Sequence, residues 1–200
     1  MATQRQIRSE QTRERLLNAA MQVLQTRGDG QLSIHEVAGA ARMTTGAVQH
    51  HFGSKAALMM EVLARLLDQL GKDSDFWPPA HWGAARRADH FVRQAWSQLY
   101  GQPRFAVAWS AYLAARNDPA MTAHIAGRRL EVAGQMQARM FESFPELRSD
   151  PDGGARVQLV LSCLRGLGLQ APFAPASVID LQLKALARTL ESFLEQPESS

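Results

Sequence analysis

The sequence predicts an all-α protein, with a small three-helix unit at the N-terminus and a larger helical body behind it. Three observations lead there. Apolar residues recur at helical spacing through almost the whole chain. Alternating runs bounded by hairpin turn residues are nearly absent. Gly- and Pro-containing breaks divide the chain into about nine segments of helical length. With 200 residues and 46% hydrophobic content, the chain can bury a core without disulfides. The single cysteine, Cys163, has no intrachain partner, which suits a reducing cytoplasm. The first fifteen residues are polar, carry Arg5, Arg8, Arg13 and Arg15, and lack the apolar core of a signal peptide. No stretch approaches the length of apolar residues that spans a bilayer, so a soluble cytoplasmic protein is expected, with no membrane partner.

The elements follow in order. A first helix over 9–27 is read from Leu16, Ala19, Ala20, Val23 and Leu24, and Gly28 stops it. Asp29, Gly30 and Gln31 form a loop. Ser33, three residues before Glu36, starts a short second helix through a capping box, and that helix ends near Ala41. Met43 is expected to be a buried turn residue, after which Thr44 caps a third short helix over 45–51. Phe52, Gly53 and Ser54 break it, and Ser54 caps a fourth helix from Lys55 to about Gly71. Residues 72–82 form a connection rich in Asp and Pro. Helices are expected at 83–100, 104–116 and 119–143, with Asp118 capping the last of these and Pro119 at its first position. Residues 145–154 read as a loop, and the final helices span 155–170 and 177–195. The tail Gln196–Ser200 is expected to fray.

The functional signal lies between Ser33 and Leu58. Two helices of about eight residues are too short to be stable alone and must pack on the first helix. Three helices, the last short, describe a helix-turn-helix domain, here placed at residues 1–54 with the remaining body at 55–200. Small residues at Thr44, Thr45, Gly46 and Ala47 allow close approach to base edges, while Val48 and Phe52 face inward. Ser33, Thr44, Thr45, Ala47, Gln49 and His50 are the candidate DNA contacts, and Lys55 adds a charge for phosphate. Charge supports this placement: residues 1–60 carry seven Lys/Arg against four acids, which accounts for the whole net charge of +3.

The run from Ala41 to Leu58, with Gly46, His50, Phe52, Ser54-Lys55 and Ala57-Leu58, resembles the DNA-binding signature of the TetR family of regulators. Arg15, Leu16, Ala19, Ala20, Leu24, Gly28, Ser33, Ile34 and Val37 fit the family's first two helices. The resemblance covers about residues 9–60. It implies a nine-helix chain whose last two helices form a four-helix bundle with a second copy. It also implies a small-molecule cavity among the middle helices, whose occupation changes the spacing of two reading heads. Two departures matter: Gln49 stands where many members carry tyrosine, and Thr45 where lysine or arginine is common. Gln49 can donate to phosphate or read adenine bidentately. Arg5 and Arg8 are placed before the first helix, either as a minor-groove arm or as a solvated tail.

Other chemistries find no support. His50 and His51 are neighbours on a helix with no third ligand near, so no metal is expected, nor any cofactor. No nucleophile elbow, phosphate loop or zinc-protease motif is present, and no catalytic residue is assigned. Cys163, set among Leu161, Leu164 and Leu167, is expected to be a small buried hydrophobe. Trp77, Trp82, Phe91, Trp96, Tyr100, Phe105, Trp109 and Tyr112 cluster in mid-chain, mostly as core. Trp96, Phe105 and Trp109 are the candidates for lining an effector pocket, with Phe141 and Phe144 closing it or simply packing. A neutral, aromatic-rich body favours an apolar or aromatic effector. Gly166 and Gly168 allow close helix approach or mark a local bend, and the broad stripe Leu181, Leu183, Leu186, Leu190, Phe193 and Leu194 wants two partners. The expectation is a homodimer on a palindromic double-stranded DNA operator, acting as a repressor released by a small molecule. Its rivals are a regulator without effector, constitutive repressor or activator, and a helical binding or enzyme scaffold.

Overall fold

The computed structural model describes residues 3–27, 32–114 and 119–195. The Gly28 stop, the loop after it, the Asp118 cap, the C-terminal tail and the Tyr112 side chain fall outside the described residues. Among the described residues the chain is helical with no strand. The α-helices among the described residues are α1 (Gln4–Arg27), α2 (Ile34–Ala41), α3 (Thr45–Phe52), α4 (Lys55–Lys72), α5 (Ala84–Ala95), α6 (Pro103–Ala114), α7 (Pro119–Ser143), α8 (Pro145–Ser149), α9 (Gly153–Gln170) and α10 (Ala176–Leu194). The chain forms two compact units, Met1–Arg65 with Pro103–Arg129 and Leu66–Gln102 with Leu130–Ser200. No helix among the described residues is long and apolar enough to cross a membrane.

In the first unit, α1 packs on α2 and α2 on α3. Leu16, Leu17, Ala20 and Leu24 of α1 are buried, as are Val37, Ala38, Val48, Phe52, Leu58 and Val62. Arg13 pairs with Glu61 (2.9 Å) and Glu14 with Arg65 (2.6 Å), tying α1 to α4. Helix α1 begins five residues before the start expected from its apolar stripe. Thr3 opens it with a capping box: its N–H donates to Gln6 Oε1 (2.7 Å), and the Gln6 N–H donates to Thr3 Oγ1 (3.3 Å). Arg5 and Arg8 are therefore helical, not an arm ahead of the helix. Every side chain from Thr3 to Gln11 is exposed, so no core periodicity marks this segment.

In the second unit, α5 packs on α10, and α9 on α10. The core centres on Phe91, whose ring meets Phe76 and Phe144 edge-on and stacks on Trp77. Phe144 is fully buried and packs here. The segment expected as one helix over 83–100 is α-helical to Ala95, then forms a π-turn over Trp96–Tyr100. The expected loop at 145–154 contains α8, started by Pro145 at its first position. Gly153 allows the following turn: a Cβ there would lie 1.7 Å from the Leu147 carbonyl oxygen. Arg87 of α5 is buried, 4% exposed, and donates from Nη1 to the Ser143 carbonyl (3.2 Å) and Glu146 Oε2 (3.0 Å).

One expectation about α9 needs correction. Cys163 is exposed on the outer side of the helix, because the leucines that flank it in sequence are rotated away from it by the helical repeat. Helix α9 runs through Gly166 and Gly168 to Gln170, the end expected for it, so neither glycine terminates it. Gly168 is buried, whereas Gly166 faces open space. Met43 is half-buried, not enclosed.

Candidate nucleic-acid interface

Helices α2 and α3 meet through a tight turn. The Arg42 backbone adopts a left-handed conformation (φ 56°), and its N–H donates to the Gly39 carbonyl (3.0 Å) while Met43 N–H donates to Ala38 (2.9 Å). These bonds satisfy carbonyls at the end of α2 and redirect the chain into α3. Arg15 Nη2 donates to the Ala41 carbonyl (3.3 Å), so α1 braces the turn from the side.

The caps predicted for α2 and α3 are both present. Ser33 accepts from Glu36 N–H (3.1 Å), and Ser33 N–H donates to Glu36 Oε2 (3.0 Å). Thr44 Oγ1 accepts from Ala47 N–H (3.2 Å). Both hydroxyls thus hold helix starts while their side chains stay exposed. Replacing Ser33 with alanine is expected to lower stability by about 1 kcal/mol, read as a shift in urea midpoint. A midpoint unchanged within error would mean the box adds nothing to the folded state.

Helix α3 has one buried and one open side. Val48 and Phe52, four residues apart, are buried; Thr45 and Gln49, also four apart, are exposed, with His50 exposed beside them. Ala47 is half-buried. Arg13 lies over the Phe52 ring, 5.3 Å from its centre, fixing the far end of α3. Gly53 ends the helix at φ 73°. Lys55 is exposed at the start of α4, whose Ala57 N–H donates to the Ser54 hydroxyl (3.1 Å). His51 is half-buried; desolvation, then the His50 and Arg13 charges, hold its imidazole below the ordinary value. Among the described residues no group of three or more His, Cys, Asp or Glu could hold a metal ion. The open side presents a short polar helix with a lysine at its flank.

The aromatic candidates divide between the two units. Phe105 is buried and stacks with Trp109 at 6.2 Å on α6, in the first unit. Trp96, in the second, lines a groove of about 440 Å³ between α5, the π-turn and the start of α10. Val92, Ile179 and Leu183 share its floor, and Asp89, Arg93, Asp180 and Lys184 stand at its rim. Those charges pair within their own helices, Asp89 with Arg93 (2.7 Å) and Asp180 with Lys184 (2.6 Å), leaving the rim neutral. Sequence reasoning missed the α10 lining, because only packing brings α10 beside α5. Gly101 lies under the Trp96 indole, where a Cβ would come within 2.7 Å of Cε2.

Comparison with known proteins places this geometry. Residues 16–62 match the model of the bacterial regulatory proteins of the tetR family. The HTH-type transcriptional regulator CymR of Pseudomonas putida is 27% identical over 117 residues, covering 57% of this chain and 56% of that protein. The matching stretches span about half or less of the length of the curated relatives. A TetR transcriptional regulator from Rhodococcus sp. RHA1 superposes with a TM-score of 0.68 at 16% identity, covering 94% of this chain and 98% of its own. The multidrug binding protein EbrR, complexed with imidazole, superposes at 0.56 and 22% identity, covering 88% of this chain and 93% of its own. At these identities the two superpositions show the fold alone.

Proposed function

We propose that this chain, whose residues 16–62 match the model of the bacterial regulatory proteins of the tetR family, is a regulator of that family: a cytoplasmic, homodimeric repressor released from its operator by a small molecule. Residues 1–54 form its DNA-binding domain and residues 55–200 its effector-binding and dimerisation domain. The observation that carries the reading is the open side of α3, with Thr45, Gln49 and His50 exposed between two capped helix starts and Lys55. Ser33, Thr44 and Ala47 complete the proposed contact set. Such a helix enters the major groove, and a two-fold dimer requires a near-palindrome with half-sites about 34–36 Å apart.

Dimerisation is supported by the outer faces of α9 and α10. Leu159 and Leu181 are exposed, as are Cys163 and the bare Gly166 backbone, and Phe173 between the helices is 87% exposed. Large apolar side chains left exposed in this way are expected at an association surface. Leu181→Glu is expected to shift the protein to monomer in sedimentation and to cut operator affinity at least tenfold. A dimer unaffected by Leu181→Glu would remove this face from the reading.

Effector binding is supported by Trp96 and its apolar groove, of a size that holds small ligands. Phe105 and Trp109, stacked on each other in α6, remain candidates. The neutral rim favours an apolar or aromatic effector over a highly charged one. EbrR, which shares the fold, was solved with an aromatic heterocycle. The test is selection of random duplex DNA by the purified protein at stated salt, followed by release of the selected duplex by aromatic compounds. An enriched palindrome released by such a compound supports the whole reading; enrichment of no sequence at any salt overturns it.

A further inference from the structure

We propose that the N-terminal extension of α1 is a second DNA-binding element, in which Arg5 and Arg8 hold phosphates flanking the half-site. Four side chains, Arg5, Arg8, Thr12 and Arg15, recur at intervals of three, four and three residues, so they share one face of the helix. Arg15 donates to the Ala41 carbonyl, which anchors that face at the turn leading into the recognition helix α3. Arg8 and Arg5 then lie about 10 and 15 Å further along the axis. The acids of α1 are on other faces, where Glu14 pairs with Arg65. Neither Arg5 nor Arg8 has an ion pair among the described residues, and both are exposed.

Two features say that this stripe waits for an anion. The capping box of Thr3 and Gln6 makes the segment helical, so the arginine spacing is set and not averaged over a frayed tail. The first turn of α1 contains no acid, although the helix dipole is positive there. Arginines in the opening turns oppose that dipole and weaken the helix unless negative charge comes from outside. DNA phosphate is the occupant that charge and position select. The stripe continues from the reading head, and 15 Å is the rise of about four base pairs. Contacts of this kind add affinity without base information.

The inference rests on the DNA-binding reading above, and the test separates the two. An Arg5→Gln/Arg8→Gln variant is compared with the parent on the selected operator, with ten-base-pair flanks and trimmed flush to the half-sites. Binding is measured across a potassium chloride series, with circular dichroism as the check on folding. On the flanked duplex the slope of log affinity against log salt is expected to fall by about two per bound protomer. On the trimmed duplex the two proteins should coincide, and Arg5→Lys/Arg8→Lys should restore the slope. An unchanged slope on the flanked duplex overturns the proposal. So does a changed base preference in the flank, which would make the stripe a base reader. Loss of binding to phosphatidylserine vesicles with DNA binding intact would assign it to a lipid surface and overturn it equally. If the parent selects no sequence at all, the regulator reading fails, yet the same slope difference on random duplex still decides whether the stripe binds phosphate.

Discussion

Replacing Glu146 by alanine is expected to destabilise the chain by about 3 kcal/mol or more, and Arg87→Met by distinctly less. The asymmetry follows from burial. Arg87 is 4% exposed, with its guanidinium held by Glu146 and the Ser143 carbonyl and lying near the Phe144 ring. Removing Glu146 leaves a buried cation without its counter-charge. Removing Arg87 leaves a carboxylate that is already about one-third exposed and can be hydrated in place, so the main loss is the bond to the Ser143 carbonyl. Urea unfolding of the two variants beside the parent measures both, and equal losses or the reverse order would contradict the account. The pair also sets an acid limit. Burial by itself would raise the Glu146 carboxyl, but hydrogen bonds from Arg87 and its own backbone, with the Arg87 charge, hold it below the usual range. A carboxyl lowered in the folded state stabilises above its unfolded value, about 4.3, and this contribution disappears as pH falls through the lower folded value. Stability should therefore fall on acidification below about pH 4.3, with a shallower fall in Glu146→Gln.

Gln49→Ala is expected to cut specific operator affinity by about 1–3 kcal/mol and to relax the base preference at one position of each half-site. Gln49 is exposed, four residues from Thr45 and about 100° around α3 from the buried Val48. Truncation removes its amide without disturbing that packing. Lys55→Gln should behave differently, weakening binding evenly across sequences and lowering the salt slope by about one per protomer. Equilibrium binding to the selected operator and its single-base variants, repeated at several salt concentrations, separates the two patterns. Should Gln49→Ala lose affinity evenly and keep its base preferences, Gln49 contacts phosphate and reading falls to Thr45 and His50.

Much of the α2–α3 module was legible because its determinants are local. The capping residues Ser33 and Thr44, the stop at Gly53, and the i, i+4 spacing of Val48 and Phe52 act within one or two helical turns. The start of α1 was also written locally, in Thr3 and Gln6, but a search led by apolar periodicity passes over a segment that buries nothing. Trp96 shows the other limit. Its aromatic neighbours in sequence suggested one pocket, yet its groove is completed by Ile179 and Leu183, more than eighty residues away. Cys163 shows the same limit, since leucines adjacent to it in sequence point elsewhere on the helix.

By itself the sequence determined the all-α class, the capped short helices and the polar open side of α3, because caps, breaks and helical period are properties of neighbouring residues. Only the tertiary structure decided which face of α9 looks outward, that Arg87 is buried against Glu146, and that α10 closes the Trp96 groove. Those outcomes depend on which helices pack together. The free energy that selects the packing is summed over contacts between residues far apart in the chain, and no local pattern records the sum.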